Sequence, residues 1–123
     1  MEFIVLVEDD PDNAELLLDY FDGDFKITHY ESAVVAWEAV LKGKMEKPNL
    51  FLLDISMPMM DGIELLKKLK SRNEFKNTPM VALTAHAMKE DAERFLSEGF
   101  DAYFEKPILD FEELRELMEK HSI

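Results

Sequence analysis

Four stretches of this chain each end a short apolar run with a group able to do chemistry. Residues 50–53 lead into Asp54, residues 3–7 into Glu8, Asp9 and Asp10, residues 80–83 into Thr84, and residues 102–104 into Glu105, Lys106 and Pro107. Apolar runs of this length suit strands buried on both faces, as in a parallel sheet. A carboxylate at the carboxyl end of such a strand lies where open α/β sheets bind their ligands. An Asp in that place also commonly caps a turn. Asp54 alone leaves both roles open, so the elements around it must decide.

Those elements alternate along the chain. After the strand at 3–7, Asp10 caps a helix over 11–22, with Pro11 at its first position and Ala14, Leu17, Leu18 and Phe21 at helical spacing. Residues 25–28 alternate apolar and polar, which predicts an edge strand with one wet face. Ser32 caps a second helix carrying Ala33, Val34, Trp37, Val40 and Leu41 on one face, and Gly43 ends it. The strand at 50–53 follows, then a loop with Pro58, then a third helix from Asp61-Gly62 with Ile63, Leu66 and Leu69 inward. A strand at 80–83, a helix to Gly99 with Ala92, Phe95 and Leu96 inside, a strand at 102–104, and a helix through Phe111, Leu114, Leu117 and Met118 complete the series. Five βα units in succession imply a doubly wound α/β fold with a parallel five-stranded sheet. The flavodoxin-like strand order 2-1-3-4-5 fits, because it puts the two amphipathic strands, second and fifth, at the edges.

Bulk composition narrows the function. The 123 residues make one domain, 1–123, with no room for an output domain, and a 47% hydrophobic content is enough for a core. Lys and Arg number 14 against 27 Asp and Glu, a net charge of -13. Such acidity argues against direct nucleic-acid binding and against docking on anionic membranes. No cysteine is present, so thiol catalysis, disulfides and thiolate metal sites are excluded. Without a leader-like start or a run of membrane-spanning length, a cytoplasmic location is expected.

In the expected strand order the ends of strands 1 and 3 are neighbours. Glu8, Asp9, Asp10 and Asp54 then converge, and their repulsion calls for protons or a cation. Hard oxygen ligands with open positions suit Mg²⁺. Thr84 adds a hydroxyl and Lys106 an ammonium, a combination suited to a phosphoryl group. The inferred reaction is in-line phosphoryl transfer onto the Asp54 carboxylate, with metal and Lys106 offsetting charge on the phosphoryl oxygens. Asp10 is assigned to helix capping. Met57, Met59 and Met60 are assigned to loop packing.

The segments 5–10, 53–62, 83–85 and 105–107, each at a strand end, resemble the receiver domain of two-component response regulators. The resemblance implies Asp54 as phosphoacceptor, and Asp9, Asp54 and the Ser56 backbone carbonyl as Mg²⁺ ligands, with Glu8 acting through water. It also implies Thr84 and Lys106 as phosphoryl-binding residues, Thr84 and Tyr103 as the switch, Ser56 and His86 as modulators of phosphate lifetime, and a cis bond before Pro107. Glu8 stands where the family more often has Asp. The implied donor is a phosphohistidine on a sensor histidine kinase or a histidine phosphotransfer protein. Output would pass to a downstream protein target, with phosphorylation-dependent dimerisation left open. The protein would then be no enzyme beyond its own phosphorylation and slow self-dephosphorylation. Rival assignments are an Mg²⁺-dependent aspartate-nucleophile phosphatase, which lacks its usual second Asp because Ser56 stands there, a flavin-binding flavodoxin, whose phosphate Glu8, Asp9 and Asp10 would repel, and a docking-only receiver.

Overall fold

The computed structural model describes residues 1–123. In chain order its elements are β1 (Glu2–Val7), α1 (Pro11–Tyr20), β2 (Phe25–Tyr30), α2 (Ala33–Leu41), β3 (Leu50–Asp54), α3 (Gly62–Lys70), β4 (Met80–Thr84), α4 (Lys89–Glu98), β5 (Ala102–Glu105) and α5 (Phe111–His121). The strands form one parallel sheet in the order β2-β1-β3-β4-β5. This is the doubly wound, flavodoxin-like arrangement expected from the alternating elements.

The two faces of the sheet divide the apolar strand residues by alternation. Val5, Val7, Phe51, Leu53, Met80 and Ala82 face α2, α3 and α4, and pack with Ala36, Leu66 and Phe95. Ile4, Leu6, Leu50, Leu52, Val81 and Leu83 face α1 and α5, and pack with Leu17 and Leu114. Every residue of β3 and β4 is buried, whereas β2 and β5 are half-exposed, as suits edges. The central strands therefore lie in a close-packed interior, and their carboxyl ends inherit that rigidity.

Several boundaries and faces differ from expectation for local reasons. β2 runs on to Tyr30 because it pairs with β1 through Val7↔Tyr30. α1 stops at Tyr20, and Phe21 caps it with its N–H on the Leu17 carbonyl. Leu41 and Leu96, expected inward, are 61% and 47% exposed. Each follows a buried residue, Val40 or Phe95, by one helical step of about 100°, which carries it off the buried stripe.

One glycine determines how closely α3 approaches the sheet. A Cβ on Gly62 would lie 2.3 Å from the carbonyl oxygen of Asp54 and 2.9 Å from the Ile55 Cα. The Gly62 N–H in turn donates to the Ile55 carbonyl at 2.9 Å. Gly62→Ala is accordingly expected to destabilise the fold by about 1–3 kcal/mol, the range for overpacking a tight interior site. Urea unfolding of the two proteins measures this difference.

Candidate functional site

At the carboxyl edge of the sheet, β1 and β3 are paired neighbours, with Val7 opposite Leu53. Asp54 ends β3 and is 1% exposed; Glu8 follows β1 and is also 1% exposed. Asp9 lies beside them at the exposed mouth. Carboxylate oxygens of Glu8, Asp9 and Asp54 all lie within 4.8 Å of one another. Asp10 takes no part in the group: its side chain accepts the Asp12 N–H at 2.9 Å and caps α1.

Lys106 is the cation of the cleft. The residue after β5, it is joined to β4 by its N–H on the Thr84 carbonyl, at 2.7 Å, and precedes a cis bond to Pro107. Its Nζ lies 3.1 Å from Asp54 Oδ1 and 3.2 Å from Glu8 Oε1. Asp54 Oδ1 also accepts the Ser56 N–H at 3.3 Å. Asp54 Oδ2 is buried without any hydrogen-bond partner.

Burial first, then the charge of Glu8, pushes the Asp54 carboxyl above the ordinary carboxylate range, against the opposing pull of Lys106. Asp9 is likewise raised, by burial and by Asp54. Burial pulls the Lys106 ammonium down, but Glu8 and Asp54 outweigh that and its pKa rises. A cleft with three crowded carboxylates, one of them with a buried free oxygen, fits a hard divalent cation of the Mg²⁺ kind.

The remaining candidates lie around this centre. Thr84 is buried at the end of β4, but its hydroxyl accepts the His86 N–H at 2.9 Å and donates to the His86 carbonyl at 3.2 Å. It is thus turned along its own loop and not onto Asp54. His86 and Ser56 are exposed, and Tyr103 is 36% exposed on β5. The loop after β3 contains a tight turn in which the Met60 N–H donates to the Pro58 carbonyl at 2.8 Å, across Met59 at φ 71°. Positive φ is costly for a side chain of this kind, so the turn holds the loop in an uncommon shape. Met57 is buried there, whereas Met59 is 91% exposed, so loop packing describes the first and not the second.

Two residues in the cleft escaped the sequence reasoning. Asn13 Nδ2 donates to Glu8 Oε1 at 3.1 Å, and His29 Nε2 lies 2.8 Å from the Glu8 carbonyl oxygen. Nothing in composition or periodicity marks either. The largest cavity, about 400 Å³, lies elsewhere, along β5 and α5 between Tyr103 and Glu113. The candidate site is an open acidic cleft, not an enclosed pocket.

The fold and site define a class of doubly wound α/β proteins that carry an acidic cleft with one lysine at the carboxyl edge of the sheet. The model of the response regulator receiver domain matches residues 4–119, and the chain belongs to that family. It is 36% identical over 107 residues to the polar-differentiation response regulator DivK of Brucella anthropi, covering 85% of this chain and 84% of that protein. Among solved structures it is similar to the receiver domain of the Francisella response regulator 1452, at 26% identity and TM-score 0.85, over 98% of this chain and 95% of that one. It is also similar to the receiver domain of the sensor histidine kinase PA1611 of Pseudomonas aeruginosa, at 26% identity and TM-score 0.79, over 98% and 96% of the two chains. That neighbour has a magnesium ion coordinated in its active-site cleft. No helix of this chain is long and apolar enough to cross a membrane.

The raised Asp54 pKa sets a pH signature. A carboxyl whose folded pKa exceeds its unfolded value of 3.8 costs no stability while protonated in both states; the cost builds as pH rises from 3.8 to the folded value and is constant above it. Without divalent cations, Asp54→Asn is therefore expected to unfold at higher urea than the parent at pH 7. The gain should shrink as pH falls toward 3.8. Urea midpoints across pH measure both effects.

Proposed function

We propose that Asp54 is the phosphoacceptor of this receiver. Its donor is a phosphohistidine on a sensor histidine kinase or a histidine phosphotransfer protein. The observation that carries the proposal is the state of the Asp54 carboxylate, with one oxygen on Lys106 and the other buried and free. An Asp54 oxygen attacks phosphorus in line, the P–N bond breaks, and its electron pair leaves with the imidazole. No general base is required once the carboxyl is ionised, and Lys106 favours that form against burial and the charge of Glu8.

Asp9, Asp54 and the Ser56 backbone carbonyl would hold Mg²⁺, with Glu8 acting through water. When bound, the cation supplies charge neutralisation on the phosphoryl oxygens. Lys106 Nζ stands close enough to Asp54 Oδ1 to take over a phosphoryl oxygen after transfer. Thr84 would exchange its two bonds to His86 for a bond to the phosphoryl group, and Tyr103 would turn inward from its exposed place on β5. The exchange shifts a two-state equilibrium, and a change of population from minor to dominant takes a preference of a few kcal/mol. The face around α4 and β5 would then present itself to a downstream protein target. Ser56 and His86, at the mouth, would govern access of water to the phosphoryl group and so its lifetime. The activity is confined to the protein's own Asp54. Ser56, in place of a second acid two residues after the nucleophile, argues against an aspartate phosphatase.

Incubation with acetyl phosphate and Mg²⁺ is expected to add the mass of one phosphoryl group, read on the intact protein. Omission of Mg²⁺ or Asp54→Ala should abolish the increment. Full Mg²⁺-dependent labelling of Asp54→Ala would refute the assignment.

A further inference from the structure

Glu8 is a buried carboxylate in a cleft already crowded with negative charge, and its position is held from three directions. Its N–H donates to the Tyr30 carbonyl at 3.2 Å, closing the β1–β2 ladder. Beyond that point the Glu8 carbonyl has no strand partner, and His29 Nε2 meets it at 2.8 Å. A carbonyl only accepts, so Nε2 carries the proton. At the other end of the residue, Asn13 Nδ2 donates to Oε1 at 3.1 Å. Asn13 is in the first turn of α1, and helical side chains lean toward the helix N-terminus, which directs its amide back to the end of β1.

The held carboxylate in turn holds the lysine. Lys106 Nζ lies 3.2 Å and 3.5 Å from the two Glu8 oxygens and 3.1 Å from Asp54 Oδ1. A lysine on a flexible four-carbon stem is a poor fixed point unless two anchors triangulate it. Asp54 is one anchor, and Glu8 is the second only while its own longer arm is fixed. We infer that Asn13 and His29 are positioning residues of the phosphoacceptor site: they clamp Glu8 at its carboxylate and its carbonyl so that it keeps Lys106 against Asp54. The inference rests on Asp54 being the acceptor. Asn13 is uncharged, so its loss leaves the net attraction of the cleft for cations unchanged.

The test uses the whole chain, acetyl phosphate as donor, intact-mass time courses over a range of Mg²⁺ concentrations, and the ¹⁵N signal of the Lys106 ammonium. Asn13→Ala is expected to slow phosphorylation at saturating Mg²⁺ by about tenfold, the scale of residues that orient site ligands. Half-saturation by Mg²⁺ should change little, and the Lys106 ammonium should exchange faster with solvent. Asn13→Gln keeps an amide donor and should recover most of the rate. His29→Phe should slow the reaction, and His29→Gln, which retains an N–H, should not. If the alanine variant is poorly folded, Asn13→Leu, which keeps the branched shape and the zero charge but has no donor, must show the same slowing. Wild-type rates with an unchanged Lys106 signal in Asn13→Ala or Asn13→Leu would overturn the clamp. A parent protein that takes up no phosphoryl group would instead overturn the acceptor assignment, while an unchanged Lys106 signal in the variants would still count against the clamp.

Discussion

Glu8, Asp9 and Asp54 hold carboxylate oxygens within 4.8 Å of one another at the edge of an otherwise apolar sheet. Two unit charges at 4 Å repel by about 4 kcal/mol at the effective dielectric of a protein near its surface. Folding therefore drives like charges together, and the raised carboxyl pKa values of Asp54 and Asp9 register burial first and the neighbouring carboxylates second. Lys106 offsets part of the repulsion by bridging Glu8 and Asp54. The balance is left incomplete, since Asp54 Oδ2 remains buried without a partner. That residual deficit is what a cation can relieve, and it makes the cleft receptive to one.

Such a concentration of charge needs a stiff support. β3 and β4, buried along their whole length, carry Asp54 and Thr84 out of a core of Leu, Val, Phe and Ala side chains. Gly62 lets α3 start directly against the Asp54 carbonyl, so the strand end cannot bow outward on that side. On the opposite face, Tyr20 of α1 stacks on Phe111 of α5 with ring centres 4.7 Å apart. Arg115 of α5 reaches Asp24 at 2.8 Å across the same seam and lies over the Phe21 ring. Exposed pairs contribute little singly. Here the stacked rings give the guanidinium a fixed bed, and the seam joins α1 to α5 beside the start of β2.

Sequence periodicity carried the sheet order because the two faces of a doubly wound sheet demand different things of different strands. Full apolar runs at 50–53 and 80–83 fit only the middle, and the alternating run at 25–28 fits an edge. The four chemical groups were legible for the same reason: each directly follows a strand, so once the order is known, their convergence is geometry. Leu41 and Leu96 were misplaced because a helix turns through about 100° per residue, and apolar type alone does not place a residue on the buried stripe. Asn13 and His29 were invisible for a different reason. Each acts by one hydrogen bond to an atom of Glu8, and no spacing rule distinguishes such an amide or imidazole from an ordinary solvated one. The orientation of the Thr84 hydroxyl was equally beyond sequence, because a hydroxyl rotates to whichever partner is nearest.

Under the proposed function, that hydroxyl would decide what kind of switch the fold can support. Thr84 is buried, so turning it away from His86 without a new partner would leave a polar atom unpaired at a cost of about 1–3 kcal/mol. The hydroxyl therefore has a satisfied arrangement with His86, and only a new acceptor at the mouth of the cleft offers it another. A phosphoryl oxygen on Asp54 would be such an acceptor, which makes the two arrangements discrete. Lys106 belongs to the same unit, because its N–H is bonded to the Thr84 carbonyl at 2.7 Å. A displacement of the Thr84 segment on phosphorylation would thus reach the end of β5, the strand that carries exposed Tyr103. A path from acid cleft to protein surface would then require no long-range wire: it would be one hydrogen-bonded rung between β4 and the residue after β5, followed by the three residues from Lys106 back to Tyr103.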